Sequence, residues 1–245
     1  MDLYNSTINE IIELIKGRSP RVWDYDPKKA WKDLGRSELV LERDSAFELG
    51  GTYLPASNCT CVTTDKGLIE GDKIYLVGKD LKEIRQDTSF ARIAILEVNA
   101  ISGEDQEAFR TIRDMEFVKY HVHPDGYMMR VSPENQREQV RVAKEAVRRG
   151  ISFENIGANY IAKYKENKLI DKVALIFVTE DKALCKELEK TAGKVNAITL
   201  TLNHIMDGLS TDCSICSFKP VCDEVEGLKE LHFAKGEAPM NLGKQ

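Results

Sequence analysis

Two apolar runs constrain the architecture of this chain more than any other feature. Phe90 to Ile101 holds Ala91-Arg92-Ile93-Ala94-Ile95-Leu96-Glu97-Val98, and Lys172-Val173-Ala174-Leu175-Ile176-Phe177-Val178 is a second run of the same kind. Both are apolar at successive rather than alternate positions, so each reads as a buried strand with cover on its two faces. Shorter strands separated by glycine turns surround them: Ala46 to Leu49 before Gly50-Gly51, Cys59 to Thr64, Lys73 to Val77 before Gly78, and Tyr127 to Val131. Helical periodicity supplies the rest. It predicts helices at 104–118 with apolar contacts from Phe109, Ile112, Met115 and Phe117, from Ser132-Pro133 to Gly150 as one long element, at 155–167 and at 180–191. Residues 195–209 alternate at Thr199-Leu200-Thr201-Leu202 but space Leu202, Ile205, Met206 and Leu209 as a helix does; helix is the better reading. The expected fold class is α+β, a mixed β-sheet flanked by helices.

The first 44 residues predict a helical arm. Thr7-Ile8-Asn9-Glu10 has the capping-box pattern, Ile8, Ile11, Ile12 and Ile15 share a face, and Gly17 ends the helix. Asp26-Pro27 then opens a short helix carrying Trp31 and Leu34, stopped by Gly35. Such an arm covers either a neighbouring surface or a partner subunit, a second copy of the chain included. The remaining divisions are an α/β domain at 45–194, a cysteine-rich metal-binding segment at 195–235 and a tail at 236–245.

Composition excludes some functions. A chain of 245 residues with 42% apolar and 31% charged residues can bury a core, and a net charge of -5 leaves no broad basic footprint for nucleic acid. Met1-Asp2-Leu3-Tyr4-Asn5 lacks the basic and apolar regions of a leader, and no run is long enough to span a bilayer. The expected location is the cytoplasm, where clustered cysteines serve metals or redox chemistry more often than disulfides.

Three of the six cysteines fall within ten residues, Cys213, Cys216 and Cys222, in C-x2-C-x5-C spacing. Thiolates so spaced converge on one ion or one cluster edge. Thiolate softness and Pro220 favour a [4Fe–4S] cluster; zinc is the competitor, with His204 or His232 as a nitrogen ligand. No fourth cysteine follows. Cys59-Thr60-Cys61 is the candidate source, because alternate residues on a strand face the same way; the alternative is two small apolar side chains on a strand. Cys185, on an amphipathic helix, reads as core. His121 and His123 beside Pro124-Asp125-Gly126 read as a solvated turn. Arg130, Arg137, Arg141, Arg148 and Arg149 form either an anion-binding face for a phosphate or coenzyme A, or a helix with ion pairs to Glu134, Glu138 and Glu145.

Several stretches together resemble acetyl-CoA synthase, the β subunit of the carbon monoxide dehydrogenase/acetyl-CoA synthase complex. They are Glu48-Leu49-Gly50-Gly51, Gly71-Asp72-Lys73-Ile74, Val77-Gly78-Lys79-Asp80-Leu81, the run from Gln136 to Gly150, Phe153-Glu154-Asn155-Ile156-Gly157, Ile161 to Glu166, Asp171-Lys172-Val173, Ile176-Phe177-Val178-Thr179 and the 213–222 loop. The resemblance covers roughly residues 45–230. It implies a middle domain of that subunit followed by the start of its cluster-binding domain, and a place in anaerobic one-carbon or redox metabolism. In the family a C-x2-C-x8-C loop and a further cysteine hold a cubane, and a Cys-Gly-Cys tripeptide chelates nickel through two thiolates and two backbone nitrogens. Cys216 and Cys222 match two cubane ligands; Cys213 matches a cysteine that does not ligate there. The loop here is shorter, Val225-Glu226-Gly227-Leu228 stands where the next ligand falls, and no Cys-Gly-Cys occurs. Cys59-Thr60-Cys61 is the one Cys-x-Cys that could imitate the nickel chelate. These departures predict an iron–sulfur protein, or a zinc-stapled interaction module, rather than a full acetyl-CoA synthase.

Overall fold

The computed structural model describes residues 3–37, 40, 45–51, 53–99, 105–131, 137–206 and 216–225. Its centre is a five-stranded sheet in the order β1-β4-β8-β5-β3, formed by β1 (Arg21–Asp24), β3 (Ala56–Thr63), β4 (Lys73–Val77), β5 (Phe90–Val98) and β8 (Ile170–Thr179). The sheet is mixed: β3 and β4 run parallel to β5 and β8 respectively, while β5 is antiparallel to β8 and β1 to β4. All nine residues of β5 are buried, as its unbroken apolar run predicts.

Helices cover both faces. Phe90 of β5 and Phe177 of β8 stack with Phe153 of α4 (Phe153–Lys165), the Phe153 and Phe177 ring centroids lying 4.7 Å apart. α4 begins two residues before the expected 155, with the Ser152 hydroxyl accepting from the Asn155 amide and the Asn155 carboxamide oxygen accepting from the Ser152 amide. The opposite face is covered by α1 (Asn5–Lys16), α2 (Asp105–Phe117) and α5 (Lys182–Met206). α5 starts after Asp181, whose carboxylate accepts from the Leu184 amide at 2.9 Å. It runs unbroken through 195–206, so the helical spacing of Leu202 prevails over the local alternation. In α2, Ile112 and Met115 are buried as expected, whereas Phe117 is half exposed. Among the described residues no helix is long and apolar enough to cross a membrane.

A second, antiparallel sheet, in the order β2-β7-β6, packs against β3 and β5; its strands are β2 (Ala46–Leu49), β6 (Tyr127–Val131) and β7 (Glu138–Ala143). β7 corrects the expected long helix up to Gly150. Glu138, Val140 and Val142 are buried in alternation with Gln139, Arg141 and Ala143, and only α3 (Lys144–Arg149) is helical before Gly150. Burial of the even positions against the larger sheet overrides the helical propensity of the run. Ser132 and Pro133, the expected start, lie outside the described residues.

The N-terminal segment covers the chain's own core. Ile8, Ile11 and Ile15 of α1 lie in the main core, β1 extends the main sheet, and Trp31 exchanges two hydrogen bonds with Asn159 of α4. The helix already starts at Asn5, with Tyr4 at its N-cap and no side-chain cap bond, so the capping box at Thr7 is not formed; Asp26-Pro27 opens only a single turn of 3-10 helix, Pro27–Lys29, that ends before Trp31. The aliphatic stripe of α1 is consumed within the chain.

The turn after β4 depends on Gly78. Its φ of +97° is in the region that favours glycine, and an added Cβ would overlap the carbonyl oxygen and hydroxyl of Thr179 at the end of β8. Gly78→Ala is expected to lose about 3–4 kcal/mol, combining left-handed strain with overpacking against backbone. Urea denaturation of the two proteins measures the difference.

Candidate functional site

Cys216 and Cys222 flank the start of α6 (Lys219–Glu224). The Cys216 carbonyl accepts from the Lys219 amide at 3.2 Å and the Phe218 carbonyl from the Cys222 amide at 3.1 Å, which folds the loop into a turn around Pro220. Both cysteines are partly exposed. α6 rests on α5, with Val221, Cys222 and Val225 touching the edge of the core. The His204 ring, in the last turn of α5, lies 5.1 Å from the Phe218 ring between the two cysteines in sequence. Cys213 and His232 lie outside the described residues. The donor chemistry suits a thiophilic metal: two accessible thiols on one short turn, with an imidazole on the adjoining helix. Among the described residues no three His, Cys, Asp or Glu side chains converge as a metal-binding group.

Cys59 and Cys61 have different surroundings. They sit on the same face of β3 beneath the α1, α2 and α5 layer, with 3% and 0% exposure. A hydrogen bond with Cys59, then burial, pushes the Cys61 thiol well above its ordinary pKa. The Tyr4 hydroxyl, raised by burial and bonded to Thr199 Oγ1 at 3.2 Å, feels both thiols. These are core thiols, and they do not join Cys216 and Cys222 in one group. The imitation of a nickel chelate also fails: β3 is extended and in register with β5, so consecutive amide nitrogens point to opposite strand edges and cannot face one ion. Cys185 is core, as expected, its thiol pushed up to about 12 by burial.

The arginines do not line one helix. Arg130, exposed on β6, and Arg141 on β7 share the outer face of the small sheet. Arg141 pairs with Glu48 at 3.1 Å. Arg137 instead donates to the carbonyls of Gly51 and Leu54 at 2.8 and 2.5 Å, holding the turn before β3. Arg149 bonds Asp125 at 2.9 Å. His121 is exposed, and His123 sits in a turn where its amide donates to Asp33.

The structure also brings together a group that sequence reasoning missed. Arg92 of β5 and Glu138 of β7, both fully buried, form a two-pronged ion pair, Nε to Oε1 at 2.9 Å and Nη2 to Oε2 at 2.7 Å. The guanidinium lies 4.8 Å over the Tyr160 ring. Around the pair, Arg92 Nη1 and the hydroxyls of Thr60, Tyr127, Tyr160 and Tyr164 are buried without a formed hydrogen bond. An orphan of this kind costs about 1–3 kcal/mol. The one sequence signal was Arg92 inside a strand that is apolar apart from it and Glu97. Beside the group, a cavity of about 60 Å³ is lined by Lys119, Tyr120, His123, Tyr127, Met128 and Met129, among others.

Comparison with known proteins gives a consistent result. A family model described as the CO dehydrogenase/acetyl-CoA synthase complex beta subunit matches residues 36–184, which run from before β2 into α5 and stop short of the cysteine turn. Acetyl-CoA decarbonylase/synthase complex subunit beta 1 of Methanocaldococcus jannaschii is 27% identical over 195 residues, covering 77% of this chain and 25% of that protein. Carbon monoxide dehydrogenase/acetyl-CoA synthase subunit alpha of Moorella thermoacetica is 25% identical, with 63% and 21% covered. Subunit beta 2 of the Methanosarcina acetivorans acetyl-CoA decarbonylase/synthase complex is 28% identical, with 75% and 39% covered. The chain therefore spans a fifth to two fifths of the length of these relatives.

Proposed function

This chain belongs to the CO dehydrogenase/acetyl-CoA synthase complex beta subunit family, and from that premise we propose that it is an iron–sulfur component of cytoplasmic, anaerobic one-carbon or redox metabolism. Cys213, Cys216 and Cys222 would hold a [4Fe–4S] cluster, with the fourth position taken by a molecule from outside the chain. The observation that carries this reading is the division of the cysteines: Cys216 and Cys222 are partly exposed on one turn, whereas Cys59, Cys61 and Cys185 are buried. A cluster so held supplies electron storage and an iron open to a ligand. The relatives are named as subunits of a complex, which supports a partner subunit for this chain as well. Arg130 and Arg141, on one face of the small sheet, are the residues proposed to meet an anionic ligand such as a phosphate or coenzyme A; Arg137, spent on backbone carbonyls, positions the adjoining turn.

A second reading has an observation of its own. The imidazole of His204 abuts the cysteine turn through Phe218, which supports a Cys3His zinc staple in a non-catalytic interaction module. Anaerobic purification and reconstitution, followed by visible absorption and iron, sulfide, nickel and zinc analysis, separates the two. A brown protein with about four iron and four sulfide per chain is expected. A colourless protein with stoichiometric zinc and no iron would establish the staple instead.

A further inference from the structure

The polar group joining the two sheets has no role in the proposed metal chemistry, and it is built from five different elements. Arg92 comes from β5, Glu138 from β7, Tyr127 from β6, Tyr160 and Tyr164 from α4, and Thr60 from β3. The polar atoms lie in two facing sets: the Tyr127 and Tyr160 hydroxyls approach each other, and the Tyr164 hydroxyl approaches Thr60 and Arg92. None of these approaches closes into a well-formed hydrogen bond, and all five atoms are sealed from bulk solvent. The Glu138 carboxylate is already engaged by Arg92 Nε and Nη2.

We propose that this joint is an internal hydration site, in which ordered water bridges Arg92 Nη1 and the hydroxyls of Thr60, Tyr127, Tyr160 and Tyr164. Three arguments select water. Five orphaned polar atoms in one region are more than a marginally stable fold tolerates, so a polar occupant completes them. An anion is disfavoured because Glu138 already neutralises Arg92, and a second negative charge would lie against a buried carboxylate. An apolar occupant would leave every donor unsatisfied, whereas water both donates and accepts and typically makes about three hydrogen bonds in such sites. Tyr127 also lines the neighbouring 60 Å³ cavity, together with half-exposed Tyr120.

The test is a high-resolution crystal structure of the full chain from crystals soaked in sodium bromide. Water density within hydrogen-bonding distance of Arg92 Nη1 and of the tyrosine hydroxyls is expected, with no anomalous bromide peak there. A bromide peak at Arg92 would make this an anion site, and hydroxyls bonded directly to one another with no intervening density would leave no hydration site; either result overturns the proposal. In solution, oxygen-17 relaxation dispersion should count fewer long-lived internal waters in Tyr160→Phe and Tyr164→Phe than in the parent. An unchanged count in both folded variants overturns it too, and if neither folds the soaked crystal of the parent decides.

Discussion

Glu138→Ala is expected to cost about 3–5 kcal/mol of folding stability, a large part of what a domain of this kind has. Burial alone would lower the pKa of Arg92, but the Glu138 carboxylate more than restores it, so the guanidinium is held charged well above its ordinary range. With Glu138 removed, a cation that cannot shed its proton faces Tyr160 and Tyr164 in a space closed to bulk solvent. The substitution also breaks the charged contact that fastens β7 to β5. Arg92→Met combined with Glu138→Leu removes both charges and fills the volume, so the double variant should recover most of the loss. Urea denaturation of the parent, Arg92→Met, Glu138→Leu and the double variant gives the coupling directly. A loss below about 1 kcal/mol for Glu138→Ala would mean that the guanidinium is not sealed from bulk water.

The same pair shows where the sequence was legible and where it was not. β4 and β6 match their sequence boundaries, and β5 and β8 lie within or beside the apolar runs, because a strand buried on both faces writes its burial into every residue. β7 was hidden. Gln136 to Gly150 is composed of good helix formers with charges at helical spacing, and only the buried carboxylate of Glu138 and the covered Val140 and Val142 reveal a strand. β1, at four residues of which three are exposed, carries too little pattern to be read before its pairing with β4 is known. For α1 the stripe was legible but its partner was not, since an apolar helix face looks the same whether it meets α5 or another chain. The cysteines divide likewise. Spacing exposed the pattern at 213–222, but nothing in Cys59-Thr60-Cys61 announced that the α1, α2 and α5 layer covers both thiols.

That division of the cysteines leads to the second large effect. Cys222→Ala and Cys216→Ala are each expected to reduce reconstituted iron to background, while Cys59→Ala and Cys61→Ala retain the iron content and visible spectrum of the parent. The reasoning is one of access and protonation. A thiol binds metal as thiolate, and the Cys61 thiol is held protonated by its hydrogen bond to Cys59 and by burial. Recruiting it would require the helical layer over β3 to lift away. Cys216 and Cys222 ask for nothing comparable, because α6 touches the core only with partly buried side chains. Stability should move in the opposite sense: Cys61→Ala loses a buried sulfur from the centre of the fold and costs on the order of 1 kcal/mol, whereas Cys222→Ala should leave the urea midpoint of the metal-free protein nearly unchanged. Iron content and urea midpoint therefore vary independently across the four variants. Iron surviving in Cys222→Ala but lost in a folded Cys61→Ala would move the metal site from the C-terminal turn to the strand.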